Sequence, residues 1–170
     1  MANALSATIS VVINALLQEP AGVGPSQHQL ALSPNNVLSD GIGAGQAKQM
    51  YTATRTLAAS GTENLDLTGT LVNAIGAVLT FTKIKAILIT ADAANVNNVQ
   101  VGGAASNGFA NWVTAPASAI VNVPPGGMFL LTAPDANGFG VTAATGDLLK
   151  VTNGGAGTPV TYTIVVIGVV

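Results

Sequence analysis

The stretch Tyr162-Thr163-Ile164-Val165-Val166-Ile167-Gly168-Val169-Val170 decides the fold class. Thr161 and Thr163 alternate with Tyr162 and Ile164, as in a strand with one wet face, but from Val165 onward every position except Gly168 is apolar. Successive side chains of a strand point to opposite faces, so this run is apolar on both. A strand of that kind is either central beneath another layer or covered by a neighbouring subunit. Val165, Val166, Ile167, Val169 and Val170 are therefore candidate contacts with a neighbouring subunit. Lys83-Ile84-Lys85-Ala86-Ile87-Leu88-Ile89 repeats the pattern. Period 2 puts Ile84, Ala86 and Leu88 on one face and Lys83, Lys85, Ile87 and Ile89 on the other. The two lysines are read as keeping their strand face wet and discouraging edge pairing, with contact to an acidic partner surface as the alternative.

Working outward, short runs of Val, Ile, Thr and Tyr predict further strands at 51–58, 64–67, 96–101, 118–123, 128–132 and 148–152. Asp40-Gly41, Asn107-Gly108, Asn137-Gly138 and Asn153-Gly154 supply residues that tolerate positive φ in tight turns. Prolines 116, 124, 125, 134 and 159 flank the runs without interrupting them. The sole helix candidate is one turn at 71–75, enclosed by Gly69 and Gly76. From residue 51 onward, about eight strands in ~120 residues predict an all-β fold, a jelly-roll-like β-sandwich. The first 50 residues differ in kind. A strand is expected over 7–17, and then 19–48 holds Pro20, Gly22, Gly24, Pro25, Pro34, Gly41, Gly43 and Gly45, with too few periodic apolar positions to pack alone. This stretch is expected to be an extended arm on a neighbouring subunit or a long surface loop. The chain is thus divided into an N-terminal segment, 1–50, and a sandwich domain, 51–170.

Among 170 residues there are five basic and seven acidic side chains, so 7% are charged, where a typical soluble domain carries roughly 25%. With 49% hydrophobic residues the chain is not of the disordered class, and its length suffices for one domain with its own core. The absence of cysteine removes disulfides, thiolate metal sites and cysteine nucleophiles. A net charge of −2 offers no field for phosphates, so nucleic acid is not expected as a partner. No run approaches the ~18 apolar residues of a membrane span, and the N-terminus lacks a basic leader pattern, so neither membrane nor export is expected. Surfaces usually need about 25–35% charged residues. Twelve charges are few for that, and part of the surface is expected to be covered by other copies, a trimer being the first expectation.

The search for chemistry assigns no catalytic, metal or cofactor residue. His28 is the one imidazole and is read as a solvated loop residue. The closest carboxylates, Glu63 and Asp66, are three apart in a strand and so lie on opposite faces. Asp92, Asp135 and Asp147 are read as turn and cap aspartates, their convergence in loops being the alternative. Gly41-Ile42-Gly43-Ala44-Gly45-Gln46-Ala47-Lys48 has the glycines of a phosphate loop without the Lys-Ser/Thr pair or a preceding strand, and is read as linker. Phe109 and Trp112, near Asn107 and Asn111, are a candidate platform for a sugar, against the plainer reading of a loop Trp capping the sandwich end.

The string Lys48-Gln49-Met50-Tyr51-Thr52-Ala53-Thr54-Arg55-Thr56-Leu57-Ala58-Ala59-Ser60, then Glu63-Asn64-Leu65-Asp66-Leu67-Thr68-Gly69-Thr70-Leu71 and Phe81-Thr82-Lys83-Ile84-Lys85-Ala86-Ile87, resembles small structural proteins of tailed bacteriophages. Val101-Gly102-Gly103-Ala104 and the closing Tyr162-Thr163-Ile164-Val165-Val166-Ile167-Gly168 are similar to them too. The resemblance covers roughly residues 40–170 and contains no catalytic motif. It implies a non-enzymatic β-sandwich component of the virion, a capsid decoration (cement) protein bound to itself and to the major capsid protein. A tail or fibre protein, or a carbohydrate-binding module using Trp112, is the alternative.

Overall fold

A computed structural model describes residues 4–19, 26–113 and 119–170, and the described residues hold fourteen strands and no helix. The strands are β1 (Ala7–Ser10), β2 (Ile13–Gln18), β3 (Gln27–Leu32), β4 (Asn35–Asp40), β5 (Gln46–Ala47), β6 (Gln49–Leu57) and β7 (Thr62–Asp66). They continue with β8 (Lys83–Ala91), β9 (Val99–Gly102), β10 (Ile120–Val123), β11 (Met128–Thr132), β12 (Phe139–Gly140), β13 (Leu148–Asn153) and β14 (Val160–Val169). Ser118 and Pro116 lie outside the described residues, as do Pro20, Gly22, Gly24 and Pro25.

Two sheets form the body, one ordered β11-β8-β14-β6 with β12 beside β8, the other ordered β10-β9-β13-β7. Their pairings are nested: β6 with β14, β7 with β13, β8 with β11 and β9 with β10, all antiparallel. The main core lies between the sheets. β14 contributes Val160, Tyr162, Ile164 and Val166 to it, β8 contributes Ile84, Ile87 and Ile89, and the facing sheet supplies Leu65, Val99, Val101, Leu149 and Val151.

The first 40 residues explain the second apolar face of β14. β1 pairs with β4 and β2 with β3 in one uninterrupted register, Ala7 opposite Leu38 through to Gln18 opposite Gln27, so the four strands are a single long hairpin. At the junction the Val11 amide donates to the Pro34 carbonyl at 3.1 Å, while Pro34 has no amide to return. The stem of this hairpin, with β5 added parallel to β4, lies on the outer face of the five-stranded sheet. Leu38 and Ala47, with Ala7 and Ile9, cover Ala86, Val165 and Ile167. Backbone bonds fasten this layer: Gly45 N–H to the Pro134 carbonyl (2.7 Å) and Lys48 N–H to the Gly168 carbonyl (2.8 Å). The Leu5 amide and the Lys48 ammonium both donate to the Asp40 carboxylate, at 3.1 and 2.6 Å, and hold it below the usual carboxylate range. Fully burying a side chain such as Leu38 or Ile167 is worth roughly 1.5–3 kcal/mol, enough to hold a short three-stranded layer in place.

Several expectations are corrected. The run 7–17 is two strands in two different sheets, broken at Val11 and Val12, and the described part of 19–48, expected as an arm or loop, holds β3, β4 and β5. Residues 71–75 form no helical turn; Val72 bridges to Val78, and the Asn73 side chain accepts from the amides of Ile75 and Ala77. Lys85 does not keep a face wet. Ile84 and Ala86 take the consecutive β14 partners Gly168 and Ile167, which leaves Lys85 as the extra residue of a bulge with its side chain buried. Gly168 permits the close approach: a Cβ there would lie 2.8 Å from the Phe81 ring.

A charge at the centre of β14 should be intolerable. Val166→Asp is expected to yield insoluble or unfolded protein, since an unpaired carboxylate in an apolar core costs several kcal/mol. Thr54→Asp, on the exposed side of the same sheet, should change stability in urea by no more than about 0.5 kcal/mol.

Candidate functional site

Lys85 and most of the C-terminal run are buried within the chain, and Lys83 is half-buried. Val166 is in the main core, Ile167 and Val169 are buried, and Val165 packs under the hairpin stem. That leaves only Val170 of the five as an exposed side chain to offer a partner. The Lys83 ammonium donates to the Ala136 carbonyl at 3.0 Å and the Lys85 ammonium to the Asp135 carbonyl. Burial pulls Lys85 below the usual lysine range, with the Asp135 carboxylate opposing and Lys83 reinforcing the fall. Both lysines thus fasten the loop before β12, and they do not present an ionic face to a partner.

The aromatic pair does not form a platform. Phe109 is 2% exposed and belongs to the core. Trp112 packs against Phe129 with ring centroids 5.4 Å apart and planes at 48°, and its indole N–H donates to the Phe109 carbonyl at 3.3 Å. Trp112 is thus half-buried, packed against the main core.

The aspartates hold turns. Asp92 accepts from the Ala94 amide, and Asp135 accepts from the amides of Asn137 and Gly138, which keep it below the usual carboxylate range. In the glycine-rich stretch the Gln46 side chain accepts from the Gly43 amide, and Lys48 is engaged by Asp40. His28 stands exposed in β3, opposite Leu17, in a strand where a loop was expected. Among the described residues no group of three or more metal-ligating side chains is gathered.

Two polar clusters were not foreseen. In the first, Arg55 donates from Nε to Glu63 Oε2 at 2.7 Å and pairs with it through Nη2 at 2.5 Å, while Tyr162 donates its hydroxyl to Glu63 Oε1 at 2.6 Å. Arg55 Nη1 reaches the Tyr51 hydroxyl at 3.3 Å. This clasp joins β6 and β14 of one sheet to β7 of the other. As the spacing required, Glu63 takes part while Asp66 faces the other way and accepts from the Thr68 amide. Burial, then the Glu63 bond, drives the Tyr162 hydroxyl far above the ordinary tyrosine range. In the second cluster, Asp66 and Asp147 both approach the Thr68 hydroxyl, at 3.0 and 2.8 Å, although it has one hydrogen to give. Asp147 also accepts from the Ala144 amide, and its Oδ1 is buried without a partner among the described residues.

The most extensive feature open to a ligand or partner is apolar surface. Sixteen large hydrophobic side chains are exposed among the described residues, six of them (Val12, Ile13, Leu16, Leu17, Leu30, Leu32) in or beside β2 and β3. An open cleft of about 420 Å³, lined in part by Leu5, Met50, Ile75 and Val170, is mainly apolar too. Comparison with family models, curated proteins and solved structures returned no match, so the resemblance to phage proteins rests on the residues quoted for it.

The clasp generates a pair of expectations. Glu63→Ala should cost about 2–3 kcal/mol, because it strips charge-assisted bonds from Arg55 and Tyr162 together. With its ionisation displaced upward in the folded state, Tyr162 supports the fold fully below the unfolded tyrosine value near pH 10 and loses that support as pH rises beyond it. Urea unfolding followed from pH 9 to 11 should show a falling stability that Tyr162→Phe flattens; an equal slope in the variant would contradict this.

Proposed function

We propose that this chain is a non-enzymatic structural protein that works as one of many copies in an assembled shell, read most concretely as a phage capsid decoration (cement) protein. In this reading it is made in the host cytoplasm and resides in the virion, where it binds other copies of itself, three being the first expectation, and the major capsid protein. The observation that carries the reading is the exposure of sixteen large apolar side chains among the described residues, on a chain with only five basic and seven acidic groups. Apolar patches of that kind mark contact surfaces, and obligate interfaces are the more apolar ones. The nested strand pairing supports the finer fold reading. Eight strands, β6 to β11 with β13 and β14, roll up as one long folded hairpin into two four-stranded sheets, the arrangement of a jelly roll, an architecture that capsid proteins share with lectins. The step from architecture to shell is an analogy of fold. The burial of Phe109 leaves the carbohydrate-binding alternative with Trp112 alone, half-buried against Phe129, which favours the structural reading.

The kind of force is testable. Exposed ion pairs contribute ~0–1 kcal/mol each and weaken with salt, whereas apolar burial at about 25 cal/mol per Å² is not screened. Sedimentation or light scattering should find an oligomer that persists or tightens as NaCl is raised from low to molar concentration. A monomer at every protein concentration would overturn the reading, and dissociation by salt would overturn its apolar basis.

A further inference from the structure

The distal half of the long hairpin is an amphipathic ribbon with nothing beneath it. All twelve residues of β2 and β3 are exposed, and neither strand has extensive contact with any strand but the other. Directly opposed residues of an antiparallel pair share a face. The register therefore gathers Ile13 with Leu32, Ala15 with Leu30 and Leu17 with His28 on one face, while Asn14, Gln18, Gln27 and Gln29 stand on the other with Leu16 and Ala31. The apolar face continues the stripe of Ala7, Ile9 and Leu38 by which the stem covers its own sheet. An isolated two-stranded ribbon is marginal in water at best, and this one leaves Leu17 72% exposed.

We infer that the apolar face of the β2–β3 ribbon docks on the outer face of the five-stranded sheet of a second copy of this chain. The inference rests on the assembly reading above and names the surface that performs it. What a second copy offers is continuous with the contact already made at home. Beyond the rows covered by the stem, that outer face runs on through Leu130 and Leu88 to Met128, Thr163 and Thr54, with Met128 70% exposed. The residues of the ribbon's apolar face and those just named on the receiving face are uncharged apart from the imidazole of His28, and the cations of the receiving sheet are engaged within the chain, Lys83 and Lys85 by the loop before β12 and Arg55 by Glu63, so the fit is neutral against neutral. Ribbon and sheet are different patches, so the contact is heterologous and adds copies head to tail, into a ring or an extended array.

Two full-length variants test it. Leu17→Asp with Leu30→Asp spoils the ribbon; Met128→Glu with Thr54→Glu spoils the receiving face. Each is expected to weaken self-association by more than about tenfold, as removal of a central apolar contact does, while Gln29→Asp on the polar face leaves it unchanged. Mixing the two spoiled variants leaves one intact ribbon and one intact face per pair, and should restore dimers that neither forms alone. A third variant replaces residues 10–35 by Asn-Gly, which closes Ile9 onto Asn36 in a tight hairpin and keeps the stem; it should be a folded monomer with unchanged Trp112 fluorescence.

The outcomes separate the two claims. A wild-type chain that is monomeric throughout sinks the assembly reading itself. An oligomer that survives ribbon removal leaves assembly standing and overturns the ribbon's part in it. Undiminished self-association of the Met128→Glu, Thr54→Glu variant would show ribbon meeting ribbon, and failure of the mixed variants to associate would equally overturn the docking on the sheet. Unfolding of the shortened chain would show that the ribbon packs within its own subunit, with the same consequence.

Discussion

A central strand that is apolar on both faces has to be covered twice, and the architecture follows from that requirement in β14. Its even-numbered residues, Val160 to Val166, meet the opposite sheet, while Val165 and Ile167 point outward, where a simple two-layer sandwich would leave them in water. The N-terminal hairpin stem supplies the missing third layer from the same chain. Its own apolar stripe is longer than the surface it covers, and the excess stands exposed as β2 and β3. One constraint thus accounts for the layered body and for the unfinished arm.

Charged groups are few and stand at places where geometry, not bulk hydrophobicity, has to be set. The Arg55–Glu63–Tyr162 clasp spans the two sheets and fixes how they meet, since a bidentate, charge-assisted contact tolerates little displacement. Asp40 ties Leu5 and Lys48 together within the N-terminal layer, and Asp135 and Lys85 hold the loop that precedes β12. Thr54 with Thr163 and Thr56 with Thr161 share hydroxyl bonds of 2.9 and 3.0 Å across β6 and β14, which satisfies these hydroxyls on the outer face without charge.

The strands with strong period-2 patterns were legible in the sequence because burial imposes that period directly. β6, β8, β11, β13 and β14 fall within a few residues of expectation, and Asn107 and Gly138, from two of the Asn-Gly pairs, adopt positive φ (53° and 58°). The hairpin return was not legible: Gln27-His28-Gln29 and Pro34 read as loop, and only pairing with 7–18 makes strands of them. Lys85 was misplaced because strict alternation cannot foresee a bulge, which exists through the close approach at Gly168. The clasp escaped because Arg55, Glu63 and Tyr162 are joined only by the stacking of two sheets. The burial of Phe109 is not legible either, since an Asn-Gly turn before an aromatic looks the same in sequence whether the ring points out or in.

The central claim is that one hairpin face covers β14 at its stem and a second copy at its tip. Amide hydrogen exchange at two protein concentrations, one below and one above association, tests it most directly. The amides of Ile164 to Ile167 should be equally protected at both, while those of 13–18 and 27–32 gain protection only in the associated state. Tip amides as slow in the dilute monomer as those of β14, or indifferent to association, would contradict it.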